Sequence, residues 1–135
     1  MANQDVNHGA DPREGIIKNY IAGYNAYDLT RMTENLADNM IFENIQAGVV
    51  TDSLEGRDAF WEQANSAKDF FSQRKQTITG IRYFEHYIEV DIDYVATLAM
   101  DLSEEHKQGD QIKLQGRSIF EFNDDGKISV IRDIS

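Results

Sequence analysis

The chain contains no cysteine and only one proline. Without cysteine there can be no disulfide, thiolate nucleophile, zinc finger or iron–sulfur cluster. No apolar stretch approaches the roughly 20 residues that a membrane-spanning helix needs. The N-terminus has neither the basic start nor the apolar run of a secretory signal. These absences predict a cytoplasmic protein with no membrane segment.

Positive charge is also scarce. Thirteen Lys and Arg residues stand against 24 Asp and Glu, which gives a net charge of −11. A surface this acidic repels phosphate backbones and anionic lipid, so neither nucleic acid nor membrane is an expected partner. Eight acids and one lysine fall between Glu85 and Asp110. We interpret this segment as a solvated sheet face and loop rather than a cation site, and no histidine spacing indicates a metal site.

The chain has enough hydrophobic residues to form the core of one domain. Its 135 residues are 41% hydrophobic and include seven Phe, six Tyr and one Trp. A chain of this length without a linker forms a single domain. We expect a flexible N-terminal tail over residues 1–11 and a folded domain over residues 12–135.

Helix signals dominate the first half of the chain. Asp11-Pro12-Arg13-Glu14 has an N-cap acid, a Pro at the first helical position and a Glu three residues after the cap. Asp28 is expected to cap a second helix through Leu29, Met32 and Leu36. A third helix is expected from Gly56-Arg57-Asp58 onward, with these apolar positions: Phe60, Ala64, Ala67, Phe70 and Phe71.

Strand signals dominate the second half. Apolar and polar residues alternate from Ile88 to Val95 and from Ile112 to Phe122, which is the period of a half-buried strand. Further strands are expected at residues 40–46, 76–83 and 127–134, with turns at 47–55, 84–86 and 123–126. Helices followed by a meandering antiparallel sheet predict an α+β fold.

Four segments in this order resemble the nuclear-transport-factor-2-like superfamily, and in particular its ketosteroid isomerases and SnoaL-like polyketide cyclases. They are YIAGYNAYDL (20–29), LADNMIFE (36–43), EGRDAF (55–60) and FEFNDDGKI (120–128). The resemblance implies a cone-shaped fold, in which three N-terminal helices pack on a curved, mainly antiparallel sheet around an apolar pocket. It also implies a homodimer formed through the open face of the sheet.

The same resemblance assigns positions within the pocket. Tyr20 falls where the isomerases have a tyrosine whose hydroxyl donates a hydrogen bond to the substrate oxygen. Ser118 falls at the position of their second hydrogen-bond donor to that oxygen. Asn44 falls where the isomerases have an Asp that removes the proton from the substrate and returns it. An amide cannot accept a proton at neutral pH, so the isomerase mechanism does not transfer through Asn44. We therefore expect the native protein to have negligible ketosteroid isomerase activity. Asn44→Asp should create measurable activity if the pocket admits such a substrate.

Each of these residues also has a simpler interpretation. Tyr20 is either a core tyrosine or an oxyanion donor, and Asn44 and Ser118 are either buried polar side chains or ligand contacts. Asp133 is either a rim acid or part of a salt bridge, and the sequence leaves this open. The other candidate ligand-binding residues are all aromatic, and we expect them to form the walls of the pocket: Tyr24, Phe42, Trp61, Tyr94 and Phe120.

Two classes of function remain. The first is a cofactor-independent isomerase, cyclase or dehydratase that acts on a small apolar carbonyl compound. The second is a non-catalytic module that binds a hydrophobic small molecule. No cofactor is implied, because the chain has no phosphate-binding glycine loop and no dinucleotide fingerprint. An inward-facing carboxylate or imidazole near Tyr20 would favour the enzyme.

Overall fold

A computed structural model describes residues 11–135. The tail expected at its N-terminus lies, apart from Asp11, outside the described residues. Helix α1 (Pro12–Asn25) begins as predicted, with the Asp11 carboxylate accepting a hydrogen bond of 2.9 Å from the backbone N–H of Arg13. Its buried residues include Ile17, Tyr20 and Ile21, which follow the helical spacing of the sequence.

The second helix is shorter than predicted. Asp28 caps α2 (Leu29–Thr33) through a 3.0 Å bond from the Arg31 N–H, as expected. Leu36 was predicted to continue this helix, but it is the first residue of strand β1 (Leu36–Gln46). Leu36 is almost completely buried there. A leucine at helical spacing can be buried equally well by a strand, so its spacing alone does not fix the end of the helix.

The segment predicted as turns at residues 47–55 contains a strand. Ala47 and Gly48 both have positive φ, at 51° and 80°, and they form the tight turn between β1 and β2 (Val49–Glu55). β2 is one of the two edge strands of the sheet. Most of its residues are exposed, so it lacks the alternation that reveals a half-buried strand.

Helix α3 (Arg57–Ala67) follows, and a short 3₁₀ turn (Lys68–Phe70) ends it. Phe71, predicted on the helix, is the first residue of β3 (Phe71–Tyr83). The last three strands are β4 (Tyr87–Leu98), β5 (Gln111–Phe122) and β6 (Ile128–Ile134). Both the turn at residues 84–86 and the hairpin turn at residues 123–126 lie where they were predicted.

The six strands form one sheet in the order β2-β1-β6-β5-β4-β3. All neighbours are antiparallel except β1 and β6, which are parallel. This confirms an α+β fold with a mainly antiparallel sheet. The strand predicted at residues 40–46 is part of β1 and precedes α3 as expected, whereas β2 was not predicted and β1 joins the sheet beside the last strand.

The two faces of the sheet differ in character. Inward residues such as Ile88, Val90 and Phe120 form the core with α1 and α2. The outward acids of β4 pair with arginines on neighbouring strands: Arg82 contacts Asp91 at 2.7 Å, and Arg117 contacts Glu89 at 2.8 Å. Part of the acidic segment noted in the sequence is therefore a charged outer face of cross-strand pairs.

Helices α1 and α2 approach closely at Gly23. A Cβ placed there would lie 2.8 Å from the backbone nitrogen of Met32 and 3.1 Å from the Cβ of Arg31. A backbone atom cannot move aside without shifting its helix, so a larger residue would separate the two helices. Gly15, in the same helix, is exposed and has no atom within 4 Å of a Cβ placed on it.

This pair of glycines gives a matched test. Gly15→Ala should raise the free energy of unfolding by up to about 1 kcal/mol, because Ala is the better helix former. Gly23→Ala should lower it by about 1–3 kcal/mol, because its methyl group overpacks the helix contact. Urea denaturation of both variants measures the difference. Equal stability of the two variants would contradict the close approach at Gly23.

Candidate functional site

A cavity of about 310 Å³ lies against the inner face of the sheet. Helix α1 contributes Tyr20 and Tyr24 to it, and α3 contributes Phe60 and Ala64. Its wall is largely aromatic and aliphatic, with a few polar side chains that reach it from the strands. This combination is typical of small-molecule sites.

Three polar side chains form a row across the middle of the sheet. Asp133 of β6 is in register with Asn44 of β1 on one side and with Ser118 of β5 on the other. Residues in register on neighbouring strands point to the same face, and all three line the cavity. The Ser118 hydroxyl donates a 2.6 Å hydrogen bond to Oδ1 of Asp133. Asn44 donates through Nδ2 to Oγ1 of Thr51, at 2.9 Å.

Burial raises the pKa of the Asp133 carboxyl above its ordinary value, and the hydrogen bond from Ser118 partly opposes this shift. A desolvated carboxylate is a stronger base than one in water, since its charged form has lost hydration. The single proton of the Ser118 hydroxyl is donated to Asp133. Ser118 therefore orients the carboxylate, and this use of its proton competes with the oxyanion role that the family resemblance implies.

The Tyr20 hydroxyl belongs to the same group. Burial raises its pKa, the Asp133 charge raises it further, and Arg74 acts in the opposite direction. The phenol is therefore protonated at neutral pH and available as a donor. Among the described residues its hydroxyl makes no hydrogen bond, while its ring packs edge-on against Phe120 with centroids 5.7 Å apart.

A second pair of phenols lines the cavity nearer the end of α1. Tyr24 donates from its hydroxyl to the Tyr94 hydroxyl at 2.8 Å. Burial raises the pKa of both groups, so both are neutral. Phe42 packs edge-on against Phe60, with ring centroids 5.5 Å apart. Tyr24, Tyr94 and Phe42 all line the cavity, and their contact with a ligand stays a prediction.

Two other predicted wall residues lie outside the cavity lining. Phe120 is 1% exposed and belongs to the core on the other side of Tyr20. Trp61 is 36% exposed, because its neighbour Phe60 takes the inward position on α3 and the next residue is turned about 100° around the helix. Neither side chain is positioned to contact a ligand in the cavity.

Two charged residues of the cavity, Asp133 and Arg74, were not predicted from the sequence. Asp133 was left open between a rim acid and a salt bridge, although it lies two positions after the buried Ile131 and so shares its strand face. Arg74 was passed over because the strand was predicted to begin at Gln76. Asp133 is in register with Asn44, so the cavity has a carboxylate that was not predicted from the sequence, whereas the conclusion drawn from Asn44 stays a prediction.

Residues 11–135 contain no group of three or more His, Asp or Glu side chains arranged to hold a metal ion. Within the same residues, no helix is long and apolar enough to cross a membrane.

Fold and cavity together define a small α+β protein with a site for a small molecule. The chain belongs to the SnoaL-like domain family, whose model matches residues 17–131. This confirms the family that the sequence motifs resembled. No curated protein matches the chain in sequence.

Solved structures show the same fold at low sequence identity. A candidate polyketide cyclase from Xanthomonas campestris pv. campestris has a TM-score of 0.77 at 17% identity, over 91% of this chain and 89% of that one. TerC, co-crystallised with polyporic acid, has a TM-score of 0.74 at 14% identity, over 92% and 91%. An LEH-like epoxide hydrolase from M. tuberculosis has a TM-score of 0.71 at 13% identity, over 90% and 80%. At these identities the similarity shows the fold alone.

The shifted pKa of Asp133 predicts how stability depends on pH. Its folded pKa lies above the unfolded value, so the ionised carboxylate costs stability at neutral pH, and this cost disappears as pH falls. Asp133→Asn should therefore raise the melting temperature near pH 7, and the gain should vanish below about pH 4. Asn can still accept the Ser118 hydrogen bond.

Thermal unfolding across this pH range provides the measurement. Asp124→Asn, in the exposed hairpin turn, removes the same formal charge and serves as the control. Two results would contradict the burial of an ionisable carboxyl at this position. One is a melting temperature at neutral pH that is lower for Asp133→Asn than for the wild-type protein. The other is a change in melting temperature that is the same at every pH.

Proposed function

We propose that this protein is a cofactor-independent enzyme that acts on a small, largely apolar carbonyl compound by moving a proton, in an enolisation, cyclisation or dehydration. The observation that carries the proposal is the Asp133 carboxyl in the cavity, oriented by Ser118 and close enough to Tyr20 to raise its pKa. A neutral donor beside a carboxylate with a raised pKa is the arrangement that acid–base catalysis at a carbonyl needs.

Each residue then has a stated role. Tyr20 donates a hydrogen bond to the substrate carbonyl, which stabilises negative charge as it develops on the oxygen. Asp133 removes the proton from the carbon next to that carbonyl and returns it to another carbon or to a leaving hydroxyl. Ser118 is a positioning residue, because it holds the Asp133 carboxylate by its Oδ1. Asn44 contacts the substrate beside Asp133.

Two wider features belong to the same proposal. The sheet is curved into the cone that the family resemblance implies, and this curvature encloses the substrate. The charged outer face of β4 and β5 forms the contact of a cytoplasmic homodimer. An antiparallel sheet covered by helices on one side leaves its other face free for a partner, and two-fold pairs are the commonest closed assembly.

Deuterium exchange tests the chemistry without knowledge of the natural substrate. In D₂O, the wild-type protein should speed the exchange of the α-protons of bicyclic ketones such as 1-tetralone, measured by proton NMR. Asp133→Asn should reduce the exchange rate by about 10²- to 10⁴-fold, which is the usual size of a general-base contribution. Tyr20→Phe should reduce it by a smaller factor.

The Asp124→Asn control should exchange at the wild-type rate. Exchange that survives Asp133→Asn would show that another group is the base. Ketones that raise the melting temperature but do not exchange would instead identify a non-catalytic binding module, since a ligand specific to the native state raises apparent stability.

The dimer has its own test. Light scattering at micromolar concentration should give twice the mass of one chain. Charge reversal at Arg117, whose side chain is exposed on the outer face, should lower this mass toward that of the monomer. A monomeric mass for the wild-type protein would remove the dimer from the proposal and leave the chemistry intact.

A further inference from the structure

Arg74 is a buried cation in the cavity wall. Arg74, on β3, is 7% exposed, and its guanidinium carbon lies over two aromatic rings, 3.8 Å from the Tyr24 centroid and 4.4 Å from that of Tyr27. Nε donates to the backbone carbonyl of Tyr24 at 3.1 Å. Nη2 is buried and has no hydrogen-bond partner among the described residues.

The charge of Arg74 is not balanced locally. Arg74 takes part in none of the ion pairs within residues 11–135. The Asp133 carboxyl of the same cavity is hydrogen-bonded to Ser118 instead. Tyr24 and Tyr94 are neutral, because burial raises the pKa of both. A buried charge without a partner is destabilising, so an arginine in this position needs a reason.

Cation–π contacts do not supply the whole reason. The two tyrosine rings interact with the charge of the guanidinium, but a ring face cannot take the place of the oxygen acceptors that its five N–H donors need. The backbone carbonyl of Tyr24 accepts from only one of these groups. A carboxylate in the plane of a guanidinium can accept two parallel hydrogen bonds from it and neutralise its charge.

We infer that the cavity binds an apolar molecule that bears a carboxylate, with Arg74 as the residue that recognises this group. This inference rests on the proposed function, since it narrows the carbonyl substrate to an acid such as an aromatic or alicyclic keto acid. Arg74 lies on β3 and Asp133 on β6, with β4 and β5 between them in the sheet. Because Arg74 and Asp133 are separated in this way, the carboxylate of the ligand and the carbon from which Asp133 removes a proton lie at different ends of the ligand.

Arg74 gives this acidic protein a local site that attracts an anion. A net charge of −11 repels anions in general. Bulk salt screens charges beyond about 8 Å at physiological ionic strength, so a cation within the cavity acts on its ligand largely alone. In this arrangement Arg74 determines binding specificity, whereas Asp133 carries out the proton transfer.

A matched pair of probes tests this: 2-naphthoate, which has the carboxylate, and 2-naphthamide, which has the same rings and no charge. Isothermal titration calorimetry should show that the wild-type protein binds 2-naphthoate about 10- to 100-fold more tightly than the amide, as expected for a hydrogen-bonded charge pair. Arg74→Gln should abolish this preference, and Arg74→Lys should retain part of it.

Two further variants serve as controls. Arg117→Gln also removes an arginine, but the Arg117 side chain lies on the outer face of the sheet and is paired with Glu89, so the preference should persist. Asp133→Asn should keep the preference while it loses deuterium exchange. A carboxylate preference without exchange of any ketone would overturn the proposed function alone, and exchange without the preference would overturn this inference alone.

A second readout does not depend on the variants. In ¹⁵N NMR spectra of the wild-type protein, 2-naphthoate should shift the Nε–H signal of Arg74, and 2-naphthamide should shift it much less. Equal affinity for the two probes, no binding of 2-naphthoate at millimolar concentration, or a preference that survives Arg74→Gln would each overturn the inference. The last result would leave Arg74 as a structural cation held by Tyr24 and Tyr27.

Discussion

The pairing of β6 with β1 on one side and β5 on the other determines which polar groups meet in the cavity. A strand alternates its side chains between two faces, so a shift of one residue would turn Asp133 to the outer face and bring Arg132 inward. The observed register is also fixed by packing at Gly116, where a Cβ would lie 2.7 Å from the carbonyl oxygen of Ile134. Only glycine allows the two strands this approach at that point.

Burial then gives each group of the cavity its chemical character. It makes the Asp133 carboxylate more basic and keeps the Tyr20 phenol protonated, and within residues 11–135 it leaves Nη2 of Arg74 without a hydrogen-bond partner. Each of these conditions costs folding stability, because a charge or a polar group loses its hydration. Sites that act on a substrate commonly have such costs, and the well-packed core around Ile17, Leu36 and Ile131 can offset them.

Local signals predicted most of the fold. The caps at Asp11 and Asp28 and the alternation from Ile88 onward lie where the structure has helices and strands. The errors have a common cause. Leu36 and Phe71 are large apolar residues at the junction of a helix and a strand, and each is buried in either element. Edge strand β2 is mostly exposed and has few apolar residues that face inward, so its pattern is weak.

The sequence by itself determined the family, the α+β class and most of the cavity residues that the motifs carry, including Tyr20, Asn44 and Ser118. Such features depend on residues that are close together in the chain, where spacing and propensity act directly. Only the tertiary structure decided that Asp133 lies between Asn44 and Ser118, that Ser118 donates its proton to Asp133, and that Arg74 is buried with no ion-pair partner in the described part of the chain. These depend on strands and helices that are distant in the chain, whose register and packing no local pattern specifies.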